Sequence, residues 1–242
     1  METLVTKTVA EIVADNYKTA DVFKKYGVDF CCGGHASVTD VCGKKNINPA
    51  DLERDLAEIE ETASATNDFN QWKLDFLIEY ILNVHHTYVS KNIPLIREYA
   101  DKVAKVHGHH YNEVVEIKEL FDEVAEELLL HMHKEENILF PFIRELLAAQ
   151  DDNPIELDFP FGTIQNPINM MEMEHENAGN IFKQIALHSN NYTPPADACN
   201  TYIVLYAKLK EFEDDLHKHI HLENNILFPK AIKMSEAILA EH

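Results

Sequence analysis

Hydrophobic positions recur with a helical period along most of the chain. Apolar residues repeat every three to four positions through four long stretches, at roughly 70–106, 110–149, 165–189 and 195–238. Polar segments rich in turn-forming residues separate these stretches: VHGHH, DDNPIELDFPFG and SNNYTPP. Four long helices with modest connections predict an all-α fold built around an up-down-up-down four-helix bundle.

The chain before the bundle follows its own pattern. Residues 8–26 carry an apolar stripe that predicts a helix, and the turn-rich segment CCGGHAS comes next. Asn48 and Pro49 have the residue types expected at the N-cap and the first position of a further helix. The less hydrophobic ETASATNDFN then indicates a linker. We expect a small helical domain at residues 1–62 and the bundle domain at residues 68–242.

Composition excludes several classes of partner. The 242 residues include 42 acidic and 21 basic side chains, for a formal net charge of −21. A nucleic-acid-binding protein needs a basic stripe, and an acidic surface disfavours anionic membranes. No apolar run approaches the ~20 residues that span a bilayer, and the first residues lack an export signal. We therefore expect a cytoplasmic protein with reduced cysteines and with no nucleic-acid or membrane partner.

A repeated segment carries the candidate chemistry. HMHKEENILFP, which starts at His131, returns as HIHLENNILFP from His219, with eight of eleven positions identical. His131 and Glu135 are four residues apart and share one helix face, as do His219 and Glu223. Apolar residues at −7, −3 and +7 lie on the same faces: Val124, Leu128 and Ile138 in one copy, and Phe212, Leu216 and Ile226 in the other. Both pairs are predicted to point into the interior.

Burial of these glutamates requires a cation. An isolated buried carboxylate costs several kcal/mol, whereas a single His–Glu pair is usually found on a helix surface. The repetition and the apolar setting favour a metal site. His133 and His221 are also repeated, but they are turned by about 200° and are predicted to be exposed. The proline that ends each copy predicts a helix kink or break.

Two further histidines complete the candidate ligand set. His86 and His175 lie in apolar stripes of the first and third helices, 89 residues apart, close to the 88-residue offset of the repeat. The set divides into two similar halves: His86, His131 and Glu135, and His175, His219 and Glu223. Imidazoles with bridging carboxylates suit two divalent ions, iron before manganese. With an oxo or hydroxo bridge, about one coordination position per metal stays open.

Acidic residues near the ligands are candidate proton acceptors. Glu127 and Asp215 each precede a ligand histidine by four residues, and Glu174 directly precedes His175. They can accept hydrogen bonds from imidazole N–H groups or carry protons. The alternative is that they are ordinary surface acids of an acidic chain.

Taken together, these motifs resemble the hemerythrin-like superfamily, and most closely its iron–sulfur cluster repair di-iron proteins of the YtfE/ScdA type. The resemblance is carried by H-x₃-E-x-x-I-L-F-P, by MEHENAG at residues 173–179 and by YGVDFCCGG at residues 26–34. It implies an N-terminal double-cysteine domain and a bundle with two non-haem iron ions, Fe2+ or Fe3+, held by the six residues already selected. It also implies repair of clusters damaged by nitric oxide or oxidants, with damaged iron–sulfur proteins as partners and nitric oxide or O2 as small ligands.

One position departs from the oxygen-carrying members of the superfamily. Those proteins place a second histidine four residues after the third-helix ligand, where this chain has Gly179. The departure implies free space beside a less saturated metal, which suits reactive or exchangeable iron better than oxygen storage. Nitric oxide reduction to nitrous oxide and an O2 or NO sensor are the alternative functions, and a homodimer is possible.

The cysteine pair is the remaining candidate for chemistry. Cys31 and Cys32 are followed by two glycines, and an accessible pair suits thiol exchange, nitrosyl transfer or transient metal capture. Adjacent cysteines are not expected to chelate one ion easily. The alternative is that they are two small residues packed in a compact domain. Cys199 is expected at the start of the fourth helix, and Cys42 has no interpretation.

Overall fold

A computed structural model describes residues 7–62, 69–151 and 162–240, and the regular elements within these ranges are helices. The all-α fold is confirmed. The predicted linker between the two parts of the chain lies largely in residues 63–68, outside the described residues. Most of the DDNPIELDFPFG break also lies outside them. No helix in the described ranges combines the length and apolar character that crossing a bilayer requires.

Four short helices precede the bundle: α1 (Val9–Asp15), α2 (Thr19–Lys25), α3 (Val38–Lys45) and α4 (Pro49–Thr62). The single helix predicted over residues 8–26 is therefore two helices. Asn16 ends α1 in an extended conformation, whereas Thr8 begins it with a capping box. Asn48 has the expected role at the start of α4, since its side chain accepts a hydrogen bond from the Ala50 amide at 3.1 Å.

The bundle consists of four long helices, three of which contain a π-helical segment. The first runs through α5 (Leu74–Tyr80), a π segment (Ile81–His86) and α6 (Thr87–His107). The second runs through α7 (Glu113–Lys134), a π segment (Glu135–Leu139) and α8 (Phe140–Asp151). The third is α9 (Gln165–His188), and the fourth runs through α10 (Asn200–Leu222), a π segment (Glu223–Leu227) and α11 (Phe228–Ala240).

The π segments change the helix register that a regular period predicts. A π turn holds one residue more than an α turn, so the side chains that follow it are rotated around the axis. In the second bundle helix, Ile138 is half exposed and Leu139 is buried, contrary to the prediction that Ile138 faces inward. The predicted break at Pro141 and Pro229 is also wrong, because helices α8 and α11 run through both prolines. The π segments directly before them accommodate each proline.

Two apolar clusters flank the middle of the bundle. One cluster contains Leu77, Ile81, Phe140 and Phe228. The other contains Val89 together with apolar residues of the bundle and of the N-terminal helices. The candidate ligands lie between these clusters, at the π segments. The polar centre is therefore enclosed by hydrocarbon on both sides along the bundle axis.

The loop after α2 rests against the fourth bundle helix. The Phe30 ring packs against the rings of His217 and His221, with centroid distances of 6.0 Å in each case. Asn225 donates hydrogen bonds to the carbonyl oxygens of Phe30 and Cys31 at 3.3 and 3.2 Å. The expectation that His221 is exposed is therefore wrong: this docking buries it, whereas His133 is exposed as predicted.

Candidate metal centre

Six side chains from all four bundle helices converge in the buried middle of the bundle. They are His86, His131, Glu135, His175, His219 and Glu223, and each is at most 3% exposed. Their donor atoms form two groups that can each hold a metal ion, one with His86 and His219 and the other with His131 and His175. Glu135 and Glu223 belong to both groups. The two carboxylates are therefore placed to bridge two positions.

The two donor groups in the structure do not coincide with the two halves of the ligand set along the sequence. In the first position, His86 Nε2 lies 3.3 Å from Glu135 Oε2, and His219 Nε2 lies 3.0 Å from Glu223 Oε1. This position thus draws on the first and fourth helices for its imidazoles. Each ion would take one histidine from each half of the sequence, because the first bundle helix packs against the fourth and the second against the third.

The second position brings two imidazole nitrogens together. His131 Nε2 and His175 Nε2 are 3.0 Å apart, while Glu135 Oε2 and Glu223 Oε2 lie 3.4 and 3.2 Å from these nitrogens, respectively. Two nitrogens bound to one ion at about 2.1 Å with a right angle between them would be about 3.0 Å apart. The observed separation fits two adjacent ligands of one ion.

Polar neighbours fix the outward-facing nitrogen of three of these rings. His131 Nδ1 lies 2.9 Å from Glu174 Oε2, and Lys134 pairs with the same carboxylate. A carboxylate only accepts hydrogen bonds, so His131 Nδ1 carries a proton and Nε2 of the same ring faces the centre. His175 Nδ1 lies 2.7 Å from Asn224 Oδ1 in a matching arrangement.

His86 has the same kind of outer contact. Its Nδ1 lies 2.8 Å from Glu136 Oε1, which turns Nε2 toward Glu135. Its ring also stacks on Phe140, and the His175 ring stacks on Phe228, with centroid distances of 5.8 and 6.1 Å. The repeated I-L-F-P segment thus orients ligand rings as well as filling the core.

The donor atoms fit a pair of cations because the buried groups lack other partners. Both Glu135 carboxylate oxygens, Glu223 Oε2 and His86 Nε2 are buried and make no hydrogen bond. Burial opposes the charge of both carboxylates, yet the surrounding imidazoles hold the pKa of Glu135 and Glu223 below the usual range. Burial opposes the positive charge of His131 as well, yet Glu135 raises the pKa of His131 to about 10. An anionic pocket of this kind favours positive charge.

Two of the candidate proton acceptors lie elsewhere than the sequence suggests. Glu127 is exposed and accepts a hydrogen bond from Asn177 at 2.7 Å, so its proposed contact with His131 is corrected. Asp215 lies 3.0 Å from Nδ1 of His85, a neighbour of the centre, and not of His219. Among the three acids, only Glu174 contacts a candidate ligand. Glu174 lies on the third bundle helix and contacts His131 on the second.

Sequence reasoning missed Asn224, Glu136 and His85. Asn224 and Glu136 each follow a candidate ligand glutamate by one residue, which on a regular helix would turn them away from it. His85 fits the apolar stripe poorly, but it is fully buried and its ring stacks on His219 at 5.4 Å. The side chains of Asn224, Glu136 and His85 lie within π segments, which rotate them relative to a regular helix. An unbroken apolar period could not reveal them, and the repeat did not single them out, because Glu136 and Asn224 occupy one of the three positions at which its two copies differ.

The cysteine pair lies at the edge of a cavity of about 510 Å³ between the N-terminal loop and the third and fourth bundle helices. Cys31 is only 3% exposed and Cys32 is partly buried, so the expectation of an accessible pair is wrong for Cys31. The hydrogen bond to Cys32, together with burial and the nearby Asp29 carboxylate, holds the pKa of Cys31 well above its usual range. Cys31 is thus a buried thiol.

Two glycines shape this region. A Cβ at Gly179 would meet no atom within 4 Å, so the predicted free space is present one turn after His175. A Cβ at Gly34 would lie 2.5 Å from the Phe30 carbonyl oxygen, so only glycine fits there. Cys199 occupies the predicted N-cap position of α10, 3.3 Å from His107 Nε2, and Cys42 is buried in α3.

Comparison with known families and proteins gives consistent matches. A family model described as the hemerythrin HHE cation binding domain matches residues 77–231, and the ScdA_N model, a domain of unknown function, matches residues 5–60. A probable iron-sulfur cluster repair protein of Haemophilus influenzae is 35% identical over 213 residues, covering 87% of this chain and 90% of the relative. The iron-sulfur cluster repair protein YtfE of Musicola paradisiaca is 34% identical over 227 residues, covering 94% and 96%.

Proposed function

We propose that this chain, which belongs to the hemerythrin HHE cation-binding family and joins that domain to an ScdA_N domain, repairs iron–sulfur clusters damaged by nitrosative or oxidative stress. Two relatives that match nearly the whole chain are named as iron-sulfur cluster repair proteins. We further propose that two non-haem iron ions occupy the centre and that damaged iron–sulfur proteins are the partners.

The observation that carries the proposal is the shared pair of buried glutamates. Glu135 and Glu223 are fully buried, and both belong to both donor groups. A single bound ion would leave imidazoles of the other group without a partner. Four histidines and two bridging carboxylates leave coordination positions open on two six-coordinate ions, as the sequence predicts. Iron with such open positions can accept a small ligand or be released to another protein.

The protein's own residues would keep the centre ready for this role. Glu174, Asn224 and Glu136 hold protons at the outward Nδ1 atoms of His131, His175 and His86. The inward Nε2 atoms thereby face the metal positions, where a bound cation would take the place of a proton. The flanking apolar clusters limit access by water.

The names of the relatives favour repair over the alternatives of nitric oxide reduction and O2 or NO sensing. The open space at Gly179 weighs against O2 storage or sensing, since glycine supplies no ligand one turn after His175. Exchange of iron or of a small ligand needs such space.

The test is rescue of an enzyme inactivated by nitric oxide damage to its iron–sulfur cluster. Iron-loaded wild-type protein is expected to restore activity, whereas Glu135→Gln and Glu223→Gln lose bound iron and rescue together. Glutamine has nearly the same size but lacks the bridging charge, so binding of iron by each variant should fall by at least tenfold. Iron content is measured by metal analysis and rescue by the recovered enzyme activity.

The matched control is Glu123→Gln, an exposed acid on the same helix as His131. It should retain iron and rescue activity at wild-type levels. Full rescue by an iron-free Glu135→Gln protein would overturn the proposal, and so would wild-type protein that binds iron but restores nothing.

A further inference from the structure

The double-cysteine loop has the geometry of a second metal site. We infer that Cys31 and Cys32 bind one divalent ion with affinity for sulfur, such as Fe2+, Co2+ or Zn2+, through both of their sulfur atoms. This site lies outside the six-residue centre. Its existence goes beyond the proposed function, because it holds whether or not the bundle centre serves cluster repair.

The separation of the two sulfurs supports chelation of one ion. Cys31 Sγ and Cys32 Sγ are 3.9 Å apart. Two thiolates bound to one tetrahedral ion at about 2.3 Å each would have sulfurs about 3.8 Å apart. Our inference departs from the sequence-based expectation that adjacent cysteines chelate poorly, because the conformation of this loop brings both sulfurs close together.

Asp29 holds the loop in this conformation. Its Oδ1 atom accepts hydrogen bonds from the backbone amides of Cys31, Cys32 and Gly33 at 3.2, 3.0 and 3.2 Å. The same oxygen lies 3.3 Å from Cys31 Sγ, so the three donor atoms form one compact group. A cation that replaces the protons of the two thiols would lie between both sulfurs and the Asp29 carboxylate, and these groups would attract it. The site is thus arranged before an ion binds.

Charge in and around the site favours a divalent cation. Lys183 Nζ lies 3.3 Å from Asp29 Oδ2. Two thiolates and one carboxylate carry three negative charges, which a divalent ion and this ammonium group would balance. The cavity beside the sulfurs is also lined by Glu172 and Glu176. Further ligands can come from water in the cavity, since the sulfurs occupy only part of a tetrahedral shell.

The cavity relates this site to the bundle centre. Its lining also includes Gly179 and Asn224, and Asn224 contacts the ring of His175. An ion at the cysteines would therefore lie beside the same cavity as the glycine that follows the third-helix ligand by one turn. The two sites share a cavity wall but no ligand, so they can be tested separately.

The experiment is an anaerobic titration of the metal-free full-length protein with Co2+ in the presence of a phosphine reductant. Bound thiolate gives an intense near-ultraviolet sulfur-to-cobalt charge-transfer band, which imidazole and carboxylate ligands do not give. We expect the intensity at saturation to correspond to one thiolate-bound Co2+ per chain, and in the Glu135→Gln/Glu223→Gln variant the band should saturate at one equivalent. It should lose at least half its intensity in Cys32→Ser and disappear in the Cys31→Ser/Cys32→Ser double variant. Cys32 is partly exposed, so its single variant tests the site even if the double variant folds poorly.

Two controls make the outcome decisive. Cys199→Ser, which removes an exposed thiol elsewhere, should retain the full band. The Glu135→Gln/Glu223→Gln variant should also retain it, because failure of the bundle centre does not affect the cysteine site. Absence of the band from the wild-type protein would overturn the inference. The same conclusion would follow from a band that survives in the folded double-cysteine variant or vanishes with the two glutamates.

Discussion

At the scale of single residues, the centre depends on the direction of each imidazole ring. A ring can bind a metal with one nitrogen only when the proton sits on the other. Glu174, Asn224 and Glu136 fix that proton for three of the four histidines, from positions that a search for ligands alone does not select. These contacts are as much a part of the site as the candidate ligands.

Replacement of Glu174 tests this role. Glu174→Gln keeps the size of the side chain but removes the charge that pairs with His131 and Lys134. We expect iron affinity to fall by about 10–100-fold, because the ligand becomes less basic and its ring less well oriented. Competition with a coloured chelator measures the affinity, and Glu123→Gln serves as the exposed control. Equal affinity in wild type and Glu174→Gln would refute the assigned role.

At the scale of elements, π segments are the feature that adapts ordinary helices to the centre. They occur in three of the four described bundle helices, and Glu135, Glu223 and His86 lie within them. The extra residue in the turn rotates the side chains that follow it, and in the second bundle helix Leu139 is buried while Ile138 is half exposed. The same segments lie directly before Phe140–Pro141 and Phe228–Pro229, and proline has no amide hydrogen for the helical ladder.

The change of register predicts unequal costs for two neighbouring truncations. Leu139→Ala should lower the free energy of unfolding by about 2–5 kcal/mol, because Leu139 is 1% exposed and its removal leaves a cavity. Ile138→Ala should change it by no more than about 0.5 kcal/mol, since Ile138 is 50% exposed. Urea unfolding of the metal-loaded variants measures both values. A larger cost at Ile138 would show that the helix keeps a regular period.

At the scale of the whole molecule, the proposed ions link all four bundle helices. One donor group draws imidazoles from the first and fourth helices and the other from the second and third, while the glutamates join the groups. Two buried carboxylates between apolar clusters would be costly without cations. Metal binding and stability of the bundle should therefore be coupled.

Removal of the metal tests this coupling. A chelator should lower the free energy of unfolding by about 4 kcal/mol when the free metal had been at about 1,000 times its Kd. Calorimetry would show the loss as a lower Tm, by roughly 2–4 °C for each kcal/mol. Hydrogen exchange should rise most around residues 81–86, 135–139 and 223–227. The Glu135→Gln/Glu223→Gln variant should lose much less stability on chelation than the wild type, and an unchanged wild-type Tm would contradict the coupling.

Periodicity anticipated much of this architecture because it is a local property. Apolar spacing predicted the bundle helices within a few residues, and the repeat drew attention to His131, Glu135, His219 and Glu223. The prediction for Ile138 was wrong because one additional residue in a helical turn rotates the following side chains, and amino-acid composition does not reveal such a residue. The burial of His221 was missed as well, because another part of the chain covers it.

The helical fold, the polar positions on apolar helix faces and the similar offsets of six candidate ligands all follow from the order of residues. These properties depend on spacing along one helix, which the order of residues fixes directly. The pairing of His86 with His219 and of His131 with His175, and the placement of both cysteine sulfurs at one cavity, follow only from the packed helices. Such pairings depend on which helices lie side by side and on the rotation of each about its axis, and these are set by packing of the whole chain.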